Sequence, residues 1–282
     1  MKNTMTMPLT NVTELRQALT SNPVALLRVL MDDPVSGEPD KRDAGAIPNS
    51  RDFDLDGEGS DHQSASPHTL PSVSALSHYL GQLGVADTTN IVVYDTRGVY
   101  CAPRAWWMLK SLGHQQVQIL NGGSPAWEAA GYTLNPEPPF ADQTRLYEAH
   151  LQPQWFVTAD DVLSALYSDT QIVDARSQGR FEGSEPEPRQ GVRSGHMPGA
   201  KNLHYARLIS NGELKPISEL QIEFEKAGVN LANPIICTCG SGITACIIGV
   251  AALLCGAKRV SVYDGSWSEW GADSHYPVEV SS

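Results

Sequence analysis

Apolar runs and polar gaps alternate along this chain with two different periods. Val24-Ala-Leu-Leu-Arg-Val-Leu30, Asn90-Ile-Val-Val-Tyr-Asp95 and Pro234-Ile-Ile-Cys-Thr-Cys239 are short, bounded and almost continuously apolar. That is the pattern of strands buried on both faces. Helical spacing fills the intervals. Asn11-Val-Thr-Glu14 sets a cap residue three before a glutamate, and Leu15 and Leu19 follow. Residues 72–84 return to the same period, and Val157-Thr-Ala-Asp-Asp-Val162 opens another capped helix. The run from Ile247 to Leu254 is apolar all round and predicts a buried helix. Residues 32–71 are rich in Asp, Gly, Pro and Ser and predict a long irregular region, which inside a compact domain is functional or mobile.

The pattern occurs twice. Leu83-Gly-Val85 followed by Asn90–Asp95 matches Ala227-Gly-Val229 followed by Pro234–Cys239. Further on, Val117-Gln-Ile-Leu-Asn-Gly-Gly123 with Trp127 matches Val260-Ser-Val-Tyr-Asp-Gly-Ser266 with Trp270 at nearly equal spacing. Upstream, Ala46-Ile-Pro48 parallels His196-Met-Pro-Gly-Ala200. Such self-similarity predicts two related α/β units with largely parallel sheets. The expected boundaries are 8–135 for the first domain, 136–152 for a Pro-rich linker that begins at Asn135-Pro-Glu-Pro-Pro-Phe140, and 153–280 for the second domain.

The two copies differ where chemistry would sit. Asp95 stands where the second copy has Cys239. Cys239 ends a strand, and Gly240 and Gly242 shape the turn into the helix that follows. Strand, glycine loop and helix turn successive backbone N–H groups inward and favour an anion. The thiolate is the charged form of cysteine, so this field should favour a nucleophile at neutral pH. The alternative is a small buried cysteine; the two glycines argue against it, because a structural cysteine needs no cradle. The first copy keeps the scaffold and lacks the nucleophile, which predicts one active site, on the second unit.

Composition narrows the setting. The chain has 282 residues, 20 Lys+Arg against 32 Asp+Glu, and a net charge of -12. That balance disfavours nucleic acid and anionic membrane as partners. Five cysteines without a spaced framework suit a reducing compartment. The opening MKNTMTMPLTNVTEL has no apolar signal region, and no apolar run approaches transmembrane length. A cytoplasmic protein is expected.

Several long stretches together resemble the tandem rhodanese-domain sulfurtransferases, and within them the mercaptopyruvate type. They are the loop Cys239-Gly-Ser-Gly-Ile-Thr244, similar to that type's C-G-S-G-V-T, with Gly179-Arg-Phe-Glu-Gly-Ser-Glu-Pro-Glu-Pro-Arg189, Ser194-Gly-His-Met-Pro-Gly-Ala200, Ala102-Pro-Arg-Ala-Trp-Trp-Met108 and Tyr263-Asp-Gly-Ser-Trp-Ser-Glu-Trp270. The resemblance implies a fold of two tandem rhodanese-like domains, each a mainly parallel sheet flanked by helices. It implies transfer of sulfane sulfur from 3-mercaptopyruvate through a persulfide on Cys239 to a thiol acceptor such as thioredoxin, or to cyanide, with release of pyruvate. No cofactor and no metal are implied. Gly240, Gly242, Ile243 and Thr244 would form the loop that binds substrate and persulfide. Arg180 and Arg189 fall at the family's substrate-clamp positions, and arginine's planar fork suits an α-keto acid. Read without the family, either would be a surface partner of Glu182, Glu185 or Glu187. Ser241 is implied to act with a histidine and an acid of the first domain, His68 and Asp56 by residue matching; His62 is a nearby competitor. Such a chain would move a proton as the sulfur moves.

The loop also separates neighbouring reactions. Thiosulfate-specific rhodaneses typically carry basic residues there, as C-R-K-G-V-T, whereas Gly240 and Ser241 are uncharged, so thiosulfate should be a poor donor. Phosphatases of this fold need a C-x5-R loop; Ala245 occupies that arginine position and Cys246 follows. Cys237 forms a C-x-C pair with Cys239 but lacks the neighbours a metal site needs, and reads as core, as do Cys101, Cys246 and Cys255. A thiosulfate-type sulfurtransferase and a non-enzymatic persulfide carrier are the alternatives.

Overall fold

The computed structural model describes residues 7–21, 23–40, 42–136 and 143–281. Most of the Pro-rich connection at 135–140, and part of the expected 136–152 linker, lie outside the described residues. The chain forms two compact units. One takes the chain up to Asp61, Leu70–Gln152 and Asn211–Leu214; the other takes His62–Thr69, Pro153–Ser210 and Lys215 onward.

The first unit contains β1 (Leu9–Thr10), α1 (Val12–Ser21), β2 (Val24–Leu30), β3 (Ser50–Asp54), α2 (Val73–Gln82), β4 (Asn90–Asp95), α3 (Ala102–Ser111), β5 (Val117–Leu120) and α4 (Gly123–Ala129). Its strands are parallel in the order β1-β5-β4-β2-β3. Local signals start the helices. Asn11 Oδ1 accepts the Glu14 N–H (2.9 Å) while the Glu14 carboxylate accepts the Asn11 N–H (3.2 Å), a reciprocal cap for α1. Ser72 accepts the Ala75 N–H at the start of α2 (3.2 Å). The central strands are apolar because both faces are covered. Leu26, Val92 and Tyr94 pack with Leu15 and Trp127 on one cluster, and Trp106, Trp107 and Met108 are fully buried. One element departs from expectation: the polar segment 32–71 contains β3, an edge strand. Its register against β2 sets Asp52 beside Arg28, whose buried guanidinium donates to it through Nε (2.7 Å) and Nη2 (2.9 Å). Polar residues are tolerated there because the outer side of an edge strand has no neighbour to exclude water.

The loop after β4 explains why the first copy has no cysteine. Asp95 is fully buried. Its carboxylate accepts the N–H groups of Arg97 (2.9 Å), Tyr100 (2.9 Å), Cys101 (3.0 Å) and Ala102 (2.9 Å). Burial pushes the carboxyl pKa up, against the pull of these four donors. The loop is an anion cradle filled by its own side chain. Asp95→Ala leaves those amides without an acceptor. At about 1–3 kcal/mol for an orphaned buried polar group, with partial relaxation, it should cost about 3 kcal/mol or more of stability in urea unfolding.

The chain from Pro153 onward carries β6 (Phe156–Val157), α5 (Ala159–Ala165), β7 (Gln171–Asp174), α6 (Gln178–Glu182), β8 (Lys201–Asn202), β9 (Ile209–Ser210), β10 (Glu213–Leu214), α7 (Ile217–Lys226), β11 (Ile235–Thr238), α8 (Ala245–Leu254), β12 (Val260–Tyr263) and α9 (Ser266–Trp270), all but β10 in the second unit. β10 belongs to the first unit, where the Leu214 N–H donates to Asn121 Oδ1 (2.9 Å). The five-stranded parallel sheet runs β6-β12-β11-β7-β8, the same arrangement as in the first unit. Thr158 and Asp161 form the capping box of α5. α8 is buried along nearly its whole length and packs on β11 and β12. Each Ile or Val taken out of water there contributes about 1.5–3 kcal/mol. Trp267 and Trp270 are fully buried in the same core as Ile236 and Tyr263. Cys101, Cys237 and Cys246 are buried as expected, whereas Cys255 is only half-buried, because it sits past the last turn of α8 where that helix leaves the core. Among the described residues no helix is long and apolar enough to cross a membrane.

Candidate active site

β11 delivers Cys239 to the C-terminal edge of the second sheet, the end at which parallel α/β sheets hold ligands. The backbone around it is pinned by the turn that opens α9. The Cys239 N–H donates to Ser266 Oγ (3.2 Å), and the Ser266 hydroxyl donates to the Tyr263 carbonyl (2.8 Å). The carbonyls of Cys239 and Gly240 accept the N–H groups of Trp267 (3.0 Å) and Ser268 (2.8 Å). Cys239 is itself buried, 2% exposed.

The loop then turns its carbonyls and amides opposite ways. Gly242 adopts φ 77°, which favours glycine. The carbonyls of Gly242 and Ile243 accept from the thiol (3.2 Å) and the N–H (3.1 Å) of Cys246, and the Thr244 carbonyl accepts the Ile247 N–H (3.1 Å). The N–H groups of Ser241, Thr244 and Ala245 donate to no acceptor among the described residues. They stand two, five and six positions after Cys239. Those are the offsets at which Arg97, Tyr100 and Cys101 grip Asp95 in the first unit. The first unit therefore displays, on a carboxylate, what this loop offers a thiolate: amide donors at a helix start. Ile243 is buried inside the loop, and Thr244 is the residue from which α8 starts.

His68 lies in the segment that packs with the second unit, and its Nδ1 is 3.0 Å from Ser241 Oγ. Its backbone is left-handed at φ 55°, a region uncommon outside glycine that histidine adopts more readily than most side chains. Asp56 belongs to the first unit, where its carboxylate accepts the Asp32 N–H (2.6 Å).

α6 presents Arg180 to the loop. A Cβ at position 240 would lie 3.2 Å from Arg180 Nη2, so the absent side chain of Gly240 is what lets the guanidinium come so close. The arginine does pair with Glu187, through Nε (3.2 Å) and Nη2 (2.6 Å), but this is no surface pair. The Glu187 side chain is 4% exposed and also accepts from Arg176 Nη1 (2.7 Å). Arg176 is clamped in turn by Asp174 (Nη2–Oδ2 2.6 Å) and lies over the Trp267 ring, 4.2 Å from its centroid. Burial works against the charge of Arg176, but Asp174 and Glu187 outweigh it and raise its pKa. Arg189 is different: it is exposed at the surface and pairs with no described residue, and partial desolvation lowers its pKa. Sequence reasoning missed Arg176, and it offered Glu187 only as one of three candidate surface partners. Asp174-Ala-Arg176 directly after an apolar strand was the available signal. The His204 imidazole is held below its usual pKa by burial and then by Arg180 and Arg207.

Rhodanese-like domains match this chain at residues 12–130 and 158–273. The 3-mercaptopyruvate sulfurtransferase of Rattus norvegicus is 41% identical over 228 residues, covering 79% of this chain and 76% of that protein. The thiosulfate sulfurtransferase of Gallus gallus is 39% identical over 242 residues, covering 82% of each. The crystal structure of SseA from Escherichia coli, described as a 3-mercaptopyruvate sulfotransferase with the rhodanese fold, superposes with a TM-score of 0.83 at 32% identity, over 93% of this chain and 99% of that one. Two parallel five-stranded units, one loop closed by its own aspartate and the other open around a cysteine, together with these relatives, establish that the chain belongs to the tandem rhodanese-domain sulfurtransferases.

Proposed function

We propose that this chain moves sulfane sulfur from 3-mercaptopyruvate to a thiol acceptor through a persulfide on Cys239. The observation that carries this reading is the uncharged loop itself, with amide donors open around Cys239 and one guanidinium resting on Gly240.

The Cys239 thiolate attacks the substrate sulfur. The S–S bond forms, the C–S bond breaks, and its electron pair passes to the enolate of pyruvate. A proton then completes pyruvate, balancing the one lost from Cys239. The second half returns the enzyme: an acceptor thiolate attacks the outer sulfur, and Cys239 leaves as thiolate. Persulfide and thiolate are both anionic, so the amides of Ser241, Thr244 and Ala245 support the nucleophile and the intermediate alike. Arg180 and Arg189 receive the keto-acid carboxylate, where a planar donor fork fits best. Gly240, Gly242, Ile243 and Thr244 supply the loop that borders the substrate. Ser241 and His68, in contact at 3.0 Å, carry the proton to the enolate, with Asp56 as the acid that orients the imidazole. A small thiol or thioredoxin serves as acceptor, and cyanide replaces it in vitro. A reducing compartment such as the cytoplasm suits the five free cysteines.

A dianionic donor such as thiosulfate would meet Gly240 and Ser241 where basic side chains would be needed. Pyruvate formation from 3-mercaptopyruvate should therefore exceed turnover of thiosulfate by about a hundredfold, two lost charge-assisted hydrogen bonds at about 1.5 kcal/mol each. Equal rates would overturn the assignment of donor. Ser241→Ala and His68→Ala should each lower kcat for 3-mercaptopyruvate by about 10²-fold, the usual contribution of positioned proton transfer. Unchanged kcat in both would remove the relay and leave the nucleophile in place.

A further inference from the structure

The first unit has lost its nucleophile, yet it holds a polar cavity that the sulfur-transfer reading does not use. The cavity has a volume of about 530 Å³ and is lined at its mouth and floor by Arg51, Arg145, Thr88, Asn90 and Gln143, with Pro23 to Ala25 supplying an apolar wall. It lies where β2 and β4 begin, at Val24 and Asn90, the opposite end of the sheet from Asp95.

Two cations face this space without a counter-charge. Neither the Arg51 nor the Arg145 side chain makes a hydrogen bond or an ion pair with any described residue. Arg51 is half-buried and Arg145 is exposed; in the same chain, of net charge -12, Arg28 holds Asp52, Arg97 holds Asp33 and Arg176 holds Asp174. Among the described residues no carboxylate lines the cavity. The placement of both arginines is built into the fold. Arg51 is fixed by the register of β3 against Leu27 of β2. The Arg145 backbone N–H donates to the Gly81 carbonyl in α2 (2.9 Å), and a Cβ at Gly81 would collide with the Arg145 carbonyl, so the close approach needs glycine there.

We propose that this cavity is a binding site for a small organic dianion, separate from the sulfur-transfer site. Two guanidinium groups meet two negative charges, neutral amide and hydroxyl groups complete the hydrogen bonding, and the Pro23–Ala25 wall takes a short apolar body. Phosphate monoesters and short dicarboxylates share that chemistry.

The test is calorimetric titration of the full chain at low salt with three probes: inorganic phosphate, glycerol phosphate and succinate. Sodium chloride at matched ionic strength controls for screening. Saturable binding in the millimolar range or tighter by an organic probe, weakened about tenfold by Arg51→Gln or Arg145→Gln and lost in the double variant, supports the site. Preference for glycerol phosphate or for succinate identifies which dianion it takes. No saturable binding by any probe, or binding that survives in the double variant, overturns it. The variants should keep wild-type pyruvate formation, and this also shows that they are folded. Should a variant lose that activity, competition between an organic probe and a second dianion on the wild type decides the matter: a single shared site supports the proposal, and independent or non-saturable heats refute it.

Discussion

Replacing Cys239 with serine should lower pyruvate formation by about 10⁴-fold or more, on the scale seen when an enzyme loses its nucleophile. The serine is nearly isosteric, and the Cys239 backbone is held by Ser266 and Trp267 rather than by its own sulfur, so the loop should keep its shape. A hydroxyl at neutral pH is a far weaker nucleophile toward sulfur than a thiolate, and it cannot store the sulfur as a persulfide. No other cysteine can take over. Cys237 and Cys101 are fully buried, and burial first, then neighbouring negative charge, pushes their thiols well above the ordinary value. Cys246 donates its S–H to the Gly242 carbonyl. Cys255 is pushed by burial to about 11 and lies at the far end of α8. Cyanide-releasable sulfur measured after exposure to 3-mercaptopyruvate should therefore fall to background in Cys239→Ser. Persistence of full labelling would relocate the nucleophile.

The second large effect is expected at Glu187. Its carboxylate is shared by two guanidinium groups, one almost wholly buried and one resting on the catalytic loop. Glu187→Gln leaves Arg176 short of one countercharge in a site with 1% side-chain exposure. Breaking one side of such a buried pair costs about 3–5 kcal/mol, because the remaining charge stays desolvated. Urea unfolding should report that loss. Function should change as well, since an amide NH2 cannot accept from the guanidinium, so Arg180 keeps at most one of its two bonds to this side chain and loses the countercharge. The expected result is a KM for 3-mercaptopyruvate raised about tenfold, equal to about 1.4 kcal/mol of binding, with a smaller change in kcat. A fall in KM would mean that Glu187 instead competes with the substrate carboxylate for Arg180. Glu187 is thus a positioning residue, and the KM change separates that role from a purely structural one.

Much of this was legible in the chain as written. Periodicity located β2, β4 and β11, because a strand buried on both faces is apolar almost throughout. Caps located α1 and α5, because their bonds span three residues and need nothing distant, and helical period located α2. The repeat located the candidate loop, and the exchange of Asp95 for Cys239 pointed to one unit. Short-range physics is written in short-range sequence. The tertiary structure decided what depends on distant partners. It drew β3 out of a polar stretch, because an edge strand is specified by its neighbour β2 and not by its own hydrophobicity. It turned Arg180 from a candidate surface ion pair into a part-buried, tethered guanidinium, because Glu187 is held by Arg176, which Asp174 clamps in turn from the end of β7. It brought His68 to Ser241 across 173 positions of sequence, a contact that no local pattern encodes. And it showed that the loop amides of the first unit already hold Asp95, a fact of geometry that the identity of one residue only suggests.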